Sequence, residues 1–373
     1  MKIGITLDMS TAFWASGMQQ HITFLYDLFK RIGHECHYIV KEKPKNKIHF
    51  KHTGMLFTDL MEDGNEKFDL LIIAGYDIPA NAVKKLKQRN EKLKVIVAHF
   101  GHKLNIDTFN TIFSTRYPNK HYELNPKSFG KDIDQIWILP HHESGKEYIK
   151  TYYGNDNVIT TPMIWEPSFV QEEINKLKNK NLSPFFKKEF SKKVCIFEPN
   201  INMLKTCMVP LMICERLEFR KPNNIESINV FCAERIRERK YFEAFVKRLD
   251  ILQKKDFCFF NNRWSSLDAL SKFGSVIVSH QQDCQYNYAN FEQLYMGLPL
   301  IHNCPDLCDI GYYYEKHDIL GGSNQLYSAM INHEEVQDQY TQQAREKLKE
   351  FSPFETKTIN IFSKIIDDIK KNK

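Results

Sequence analysis

The chain has 373 residues, of which 42% are hydrophobic and 26% are charged, so it is long enough for two globular domains with separate cores. Its formal net charge of +6 is small for this length, and the basic residues are scattered apart from the C-terminal KKNK, which argues against a nucleic-acid partner. No apolar run approaches the roughly 20 residues that span a bilayer. The start MKIGITLDMS predicts a strand rather than a signal peptide, because Asp8 interrupts it. Nine cysteines without paired spacing predict reduced thiols and a cytoplasmic location.

In the first half, apolar segments of strand length alternate with segments of helical periodicity. Ile22, Leu25 and Phe29 recur at helical spacing within a helix predicted from Gln19 to Arg31, and ANAVKKLKQRN predicts another helix. The predicted strands are KIGITL, CHYIV, FDLLIIAG, KVIVAHFG, DQIWILP and NVITTPMIW. Continuous apolar strands in a β-α-β order predict a parallel sheet that is covered on both faces.

A second alternating series follows a polar stretch rich in lysine and asparagine. Residues 166–193 predict a linker that carries some helix. The strands predicted after it are VCIFEPN, SINVFCA, DFCFFNN, SVIVSH and PLIHN. We therefore predict an α/β protein with two Rossmann-like domains, residues 1–165 and 194–353, whose parallel sheets face a cleft.

The segment 287–303, NYANFEQLYMGLPLIHN, combines a short helix, a Gly-Leu-Pro stop and a strand. Gly297 suits the left-handed conformation that closes a helix, and Pro299 prevents the helix from continuing. Glu292 is then fixed near the start of the helix. If the strand is an inner one of a parallel sheet, this carboxylate lies at the crevice where α/β folds bind nucleotides, and it can accept from two ribose hydroxyls.

Polar residues follow three other predicted strands of the second domain. EPNINMLKT (198–206) lies between a strand and a helix, where backbone N–H groups, Asn200 and Lys205 suit a phosphate. Arg263 follows the strand FCFFNN and is a further phosphate candidate, or else a surface arginine paired with a carboxylate. His280 and Asn287 border the same crevice. With Gln281, Gln282 and Asp283 they offer groups for sugar hydroxyls, the alternative being an ordinary polar loop.

The second-domain motifs resemble those of the GT-B glycosyltransferases, whose donor-binding half carries a glutamate a few residues before a Gly-x-Pro of this kind. EPNINMLKT and PLIHNCPDLCDIGYYYEKHD (299–318) are similar to the DUF2827 family of glycosyltransferase-like proteins. The resemblance implies the GT-B fold, with Lys205 near the donor diphosphate and a C-terminal helix, 354–373, that returns to the first domain. Retaining GT-B enzymes carry a second acidic residue eight positions before this glutamate. This chain departs from that pattern, because the position is occupied by Cys284.

Two places in the predicted first domain have a functional interpretation. Gly17 falls where GT-B enzymes have a flexible glycine loop under the donor phosphates, and His21 opens the helix behind it. His99 ends the apolar strand VIVAH, where a histidine can contact the transferred sugar or act as a general base on an acceptor hydroxyl. A lone histidine is also often structural, and His102 is an alternative for the same role.

Two further clusters contain side chains that can carry chemistry. His141, His142 and Glu143 are adjacent, a poor spacing for a zinc site, and no CxxC or HExxH accompanies them, so we expect no essential metal. Tyr312, Tyr313 and Tyr314 predict core and surface aromatics, one of which can stack on a base or sugar.

The sequence thus predicts a glycosyltransferase that moves a sugar from a nucleoside diphosphate sugar to an acceptor hydroxyl, with retention and inversion both open. A nucleotide-sugar epimerase of the same fold is one alternative, and it would need no acceptor. A non-catalytic binding or scaffolding protein is another, because Cys284 breaks the acidic pair. Glycosylation of modified DNA bases would need a basic surface, and the mild, dispersed charge does not favour it.

Overall fold

The first half of the chain builds a parallel sheet from short apolar strands. The computed structural model describes residues 1–10, 16–42, 54–62, 67–113 and 126–371. It divides into two compact units, the first comprising Met1–Glu166 with Phe351–Lys373 and the second Pro167–Glu350. The strands of the first unit are β1 (Lys2–Thr6), β2 (Glu35–Val40), β3 (Gly54–Leu56), β4 (Leu70–Ile73), β5 (Lys94–His99), β6 (Gln135–Ile138) and β7 (Val158–Thr160).

The described strands of the first unit pair in parallel in the order β3-β2-β1-β4-β5-β6-β7. The chain therefore changes direction across the sheet between β1 and β4, which is the position where ligands bind in open α/β sheets. The six predicted strands are present, and the three-residue edge strand β3 is an addition to them. The helices are α1 (Gly17–Arg31), α2 (Phe57–Glu62), α3 (Ala80–Arg89), α4 (Lys103–Phe113), α5 (Pro126–Gly130) and α6 (Lys146–Tyr153).

The second unit is also built on a parallel sheet of short strands and has its own core. Its strands are β8 (Lys193–Ile196), β9 (Ser227–Val230), β10 (Cys258–Phe260), β11 (Val276–Val278), β12 (Leu300–His302) and β13 (Tyr312–Tyr313). They pair in parallel in the order β10-β9-β8-β11-β12-β13, so the switch point lies between β8 and β11. Its helices are α7 (Ser168–Lys178), α8 (Met208–Arg220), α9 (Lys240–Val246), α10 (Ser266–Leu270), α11 (Tyr288–Tyr295) and α12 (Ile319–Lys349).

The stretch 166–193, whose composition suggested a linker, contains α7 and belongs almost entirely to the second unit. Val170 and Leu177 of α7 are buried, so one face of this polar helix packs on the core. The nine cysteines form no disulfide with one another, and seven of them are buried.

The final helix, α13 (Thr356–Lys371), belongs to the first unit. Its buried face includes Phe362, whose ring centroid lies 5.9 Å from that of Phe29 on α1 and 6.0 Å from that of Trp137 on β6. The apolar periodicity of this terminal segment thus completes the core of the first unit. Among the described residues, no helix combines the length and the apolar character needed to cross a membrane.

Candidate functional site

A buried carboxyl group lies at the switch point of the second sheet. Glu198 follows β8 and is 2% exposed. Its Oε1 accepts from the Ser279 hydroxyl at 2.7 Å and from the His280 backbone N–H at 3.0 Å, and its Oε2 accepts from the Gln281 side-chain amide. One side chain from the end of β8 thereby binds the first three residues after β11.

Burial has the largest effect on the pKa of this carboxyl group. It raises the pKa of Glu198 from 4.5 to about 7, against the opposing effects of the Ser279, His280 and Gln281 hydrogen bonds and of the nearby Lys205 charge. The sequence prediction did not single out Glu198. The available signal was an acidic residue placed directly after an apolar strand, at the edge where α/β proteins bind ligands.

The predicted phosphate loop is a closed turn between β8 and α8. Asn200 has a left-handed φ of 51°, and its amide nitrogen donates to the carbonyls of Glu198 (2.8 Å) and Cys232 (3.2 Å). Its amide oxygen accepts from the Cys207 N–H at 2.9 Å, and its backbone N–H donates to the Lys205 carbonyl at 3.1 Å. Both ends of the Asn200 amide are therefore used to shape the loop, which makes it a positioning residue.

Lys205 lies on this loop beside the start of α8 and is half-buried. Cys207, the residue before the helix, makes no side-chain hydrogen bond to the first N–H groups of α8. The Gln282 N–H donates to the Leu204 carbonyl at 2.8 Å, which joins this loop to the segment after β11. A positive charge and an uncapped helix start, held at the switch point, suit an anionic group.

His280 occupies the end of β11 in a buried hydrogen-bond chain. Its Nδ1 lies 2.9 Å from the Tyr314 hydroxyl, which donates to the Ser279 carbonyl at 3.0 Å. Burial, and then the neighbouring His317, lower the pKa of His280 to about 4. The ring is therefore neutral near pH 7. The predicted stacking role does not suit Tyr314, because its ring is 3% exposed and its hydroxyl is engaged in this chain.

The segment 287–303 has the predicted helix-stop-strand form. Asn287 is the N-cap of α11, and its side chain accepts from the Ala289 N–H at 3.4 Å, which gives it a structural role. Gly297 has a φ of +71°, and an added Cβ would collide with Thr341. Glu292 lies on α11, the helix between β11 and β12, and is 7% exposed. Cys284 is buried in the segment between β11 and α11.

Arg263 lies at the same carboxyl edge of the sheet but follows a different strand. It is exposed and follows β10, the edge strand, which is separated from β8 by β9. Neighbouring strands are about 4.8 Å apart, so β10 is about 10 Å from β8. Against the larger effect of burial, the Arg263 charge acts to lower the pKa of Cys232, whose carbonyl accepts from the Asn200 side-chain amide, so Arg263 lies at the predicted edge of the sheet beside the loop after β8.

In the first unit, the start of α1 differs from the expected flexible loop. Gly17 is the first residue of the helix, after the N-cap Ser16, while residues 11–15 of the predicted loop lie outside the described residues. His21 is 1% exposed, and its ring centroid lies 4.4 Å from that of Phe100. Burial, and then His141, lower the pKa of His21 to about 3. These contacts give His21 a place in the core.

His99 ends β5 and lines a cavity of about 320 Å³ in the first unit. Its Nε2 is buried and has no hydrogen-bond partner among the described residues. Burial, and then the Lys103 charge, lower the pKa of His99 to about 3. A ring of this pKa is neutral near pH 7 and is a weak general base.

The cavity wall combines aromatic and charged side chains. Phe129 and Tyr153 line it, and the Lys103 Nζ lies 2.7 Å from the Asp107 carboxylate in a largely buried ion pair. His102, the alternative to His99, has both ring nitrogens engaged, with Ser144 Oγ at 2.9 Å and the Asn105 N–H at 3.3 Å. His102 is therefore structural.

The His141, His142 and Glu143 cluster forms a 3-10 turn after β6. The Glu143 carboxylate accepts from Thr160 Oγ1 and from Lys146 Nζ, and these two bonds lower its pKa. Glu143 thus ties the turn to β7 and to the start of α6.

The two-unit parallel architecture is that of the GT-B glycosyltransferases. An α-glucosyltransferase solved with UDP and a 13-mer DNA containing a HMU base matches with a TM-score of 0.57, 12% identity and full coverage of both chains. Anabaena HepE with UDP-glucose matches with a TM-score of 0.57 and 8% identity over 99% of this chain and all of HepE. A Rickettsia africae glycosyltransferase gives a TM-score of 0.58 and 11% identity over 100% and 99% of the two chains. The predicted GT-B fold is therefore confirmed.

The family follows from the sequence itself. Residues 3–366 match the model described as "Protein of unknown function (DUF2827)", so the chain belongs to this family, as the motifs indicated. The sequence has no match among curated proteins.

Proposed function

We propose that the protein is a glycosyltransferase that transfers a sugar from a nucleoside diphosphate sugar to an acceptor hydroxyl. The second unit binds the donor, with Glu292 accepting from the ribose hydroxyls and Lys205 with the start of α8 facing the diphosphate. The first unit supplies the acceptor surface, at the cavity that His99 lines.

The observation that carries this proposal is the arrangement at the switch point of the second sheet. The bond from the Gln282 N–H to the Leu204 carbonyl joins the Lys205 loop to the segment after β11. Asn303 Oδ1 accepts from the Gln281 N–H and Asn303 Nδ2 donates to the Gln281 carbonyl, both at 2.9 Å, which ties that segment to the end of β12. The loops after β8, β11 and β12 are thus hydrogen-bonded to one another at one edge of the sheet, beside the Glu198 carboxyl group and the Lys205 side chain. The UDP and UDP-glucose held by similar folds are consistent with this assignment.

In this proposal, catalysis comes from orientation and from stabilisation of the departing diphosphate. Lys205 and the N–H groups at the start of α8 offset the negative charge that develops as the glycosidic bond breaks. His99, neutral at pH 7, contacts the transferred sugar or the acceptor. We expect no essential metal, and activity that EDTA abolishes and Mg²⁺ or Mn²⁺ restores would contradict that expectation.

The first experiment is a thermal-shift screen of the full chain against UDP, GDP, TDP and their sugars. A ligand at 100 times its Kd stabilises the folded state by about 2.7 kcal/mol, which gives a clear shift for the correct nucleotide. Lys205→Ala should lose most of this shift, whereas Lys247→Ala, an exposed lysine on the same unit, should retain it. If no nucleotide shifts the wild type, the donor-binding assignment is wrong.

Product analysis separates transfer from epimerisation. Incubation with the donor alone yields a new nucleotide sugar only from an epimerase, while a transferase yields at most free sugar by slow hydrolysis. The non-catalytic alternative predicts that the chain binds nucleotide but turns over no donor with any acceptor tested. The specific observation behind this alternative is Cys284 in the position of the second acidic residue.

The similar α-glucosyltransferase solved with DNA makes nucleic acid a direct test. We expect no retention of a duplex containing the same modified base at 150 mM salt, because the net charge of +6 is dispersed. Binding with a steep salt dependence would favour DNA as the acceptor.

A further inference from the structure

Two neighbouring helices of the second unit carry large apolar side chains that face outward. Phe219, near the end of α8, is 76% exposed, and Leu320 and Ile331 on α12 are 42% and 49% exposed. The two helices are in contact, because a Cβ added to Gly322 of α12 would lie 2.7 Å from the Ile213 side chain of α8. Exposed apolar side chains therefore occur on both members of one packed helix pair.

The end of α8 places two cations against the exposed side of α12. Asn324 Oδ1 accepts from the Arg220 guanidinium at 2.9 Å, and the Lys221 Nζ lies 3.1 Å from the centroid of the Tyr327 ring. Asn324 and Tyr327 recur at helical spacing between the two exposed aliphatic side chains of α12, so all four lie on one side of that helix. The cations of α8 and the apolar side chains of α12 therefore belong to one surface, and an exposed apolar patch of this kind commonly marks an interaction site.

The carboxylates of α8 do not offset these charges, because they bind other elements. Glu215 accepts from two backbone N–H groups of the 3-10 turn that follows α9, and Glu218 accepts from the Lys254 ammonium. A third cation, Arg216, has its guanidinium carbon 5.7 Å from the centroid of the Phe219 ring. Among the described residues, the three cations thus contact an amide and two aromatic rings and not a carboxylate. We call this surface the α8–α12 face, formed by Arg216, Phe219, Arg220, Lys221, Leu320 and Ile331.

The composition of the α8–α12 face fits the surface of an anionic membrane. Arginine and lysine near such a surface are attracted to the lipid headgroups, and exposed aromatic and aliphatic side chains are stabilised at the boundary between headgroups and acyl chains. A nucleic acid also offers phosphates, but Leu320 and Ile331 have no flat ring on which a base can stack. The aliphatic side chains therefore favour lipid over nucleic acid.

We propose that the α8–α12 face binds the surface of an anionic membrane, with its cations at the lipid headgroups and its apolar side chains at the boundary with the acyl chains. At about 1.5 Å per residue, Phe219 lies about 16 Å along α8 from Met208, the first residue of the helix. The membrane contact is therefore separate from the proposed diphosphate site at the start of α8. It does not depend on the proposed function.

Co-sedimentation of the full chain with lipid vesicles tests the role of the cations. The wild type should bind vesicles that contain phosphatidylglycerol, bind phosphatidylcholine vesicles much more weakly, and lose affinity for the anionic vesicles as salt is added. A cation near an anionic bilayer contributes about fivefold in affinity. The combined variant Arg216→Gln, Arg220→Gln and Lys221→Gln should therefore bind the anionic vesicles on the order of a hundredfold more weakly.

A matched control removes the same charge from another surface of the second unit. Lys240, Lys247 and Arg248 are exposed cations on and after α9. Changing all three to glutamine lowers the net charge equally, and this variant should keep its affinity for anionic vesicles within about threefold, because attraction between distant charges is screened by salt.

Tryptophan fluorescence tests the role of the apolar side chains. The emission that Phe219→Trp adds to that of the wild type should be quenched by vesicles of brominated phosphatidylglycerol, because the ring reaches the acyl chains. Tyr241→Trp, at a side chain of α9 that is 94% exposed, should show no such quenching. The combined variant Phe219→Ser and Leu320→Ser should bind the anionic vesicles about tenfold more weakly.

Several results would overturn the proposal. These are a wild type that does not bind anionic vesicles, an equal loss of binding in the two variants that each lack three cations, and vesicle binding without quenching of Phe219→Trp. Retention of a single-stranded oligonucleotide in place of vesicles would assign the face to nucleic acid. A dimer that Phe219→Ser dissociates would assign it to a second copy of the chain.

Folding and nucleotide binding are separated from this test by its design. The changed side chains lie on the surface, so thermal unfolding of the variants should match that of the wild type. The Phe219→Trp measurement requires no loss of binding, and it decides the matter even where another variant is unstable. No nucleotide is present in these assays, so a negative result leaves the proposed function in place.

Discussion

Glu198→Gln is the substitution whose effect on stability follows most directly from the structure. The carboxyl is fully buried, and its pKa in the folded protein is about 7 compared with an ordinary value of 4.5. At 1.36 kcal/mol for each pH unit, this difference corresponds to about 3 kcal/mol. Because the pKa is raised, the folded state holds the proton more tightly than the unfolded chain does. The resulting stabilisation is fully present below pH 4.5 and is lost as the pH rises through about 7.

The assay is urea unfolding of the wild type and the variant from pH 4.5 to 8.5. A glutamine does not titrate, so the free energy of unfolding of the wild type should fall by about 3 kcal/mol relative to the variant across this range. The buried histidines also titrate, but they do so in both proteins and cancel in the difference. Glu335→Gln, on the exposed side of α12, serves as the control and should give a flat difference. A Glu198 difference that is flat, or that rises with pH, would refute the reasoning, because it would mean that the three donors outweigh burial.

Three further predictions concern the proposed donor and acceptor sites and the helix stop. Glu292→Gln should weaken binding of the nucleoside diphosphate by about tenfold or more in calorimetry, because it leaves one ribose hydroxyl without a carboxylate oxygen, whereas Glu335→Gln should have no effect. His99→Ala should lower kcat without changing nucleotide affinity, and an unchanged kcat would disprove its role. The pH profile of wild-type kcat should show no titration of this ring between pH 5 and 8, since its pKa is about 3. Gly297→Ala should destabilise the protein by about 1–3 kcal/mol in urea unfolding, and adding Thr341→Ala should recover only the part due to the collision, because the φ of +71° remains unfavourable.

The strands of both sheets were predictable because each is a short, almost uninterrupted apolar run. Leu70–Ile73 and Leu300–His302 read as buried strands from their residues alone, and both are inner strands of their sheets. The edge strands β3 and β13 were not predicted.

The sites were predictable only as positions along the chain. Lys205, His280 and Glu292 were each expected at the carboxyl edge of one sheet, from the strand that precedes or follows them. Their hydrogen-bond partners were not predictable, because these come from residues up to 83 positions away, as in the Glu198 contact with Gln281. For the same reason, Asn200 and Asn287 looked like ligands in the sequence while the structure uses their amides to close a loop and to cap a helix.

The sequence by itself determined the two α/β units, the helix-stop-strand segment around Glu292 and the family, because these depend on local periodicity, on turn residues and on contiguous motifs. Only the tertiary structure decided that Glu198 is buried among three donors, that His21 belongs to the core, and that Arg220 and Lys221 at the end of α8 contact α12. Burial and hydrogen-bond partners depend on which strands become neighbours in a sheet. In that order β8 lies beside β11, although 79 residues separate the end of β8 from the start of β11. The packing of the whole unit, and not any single segment, sets this order.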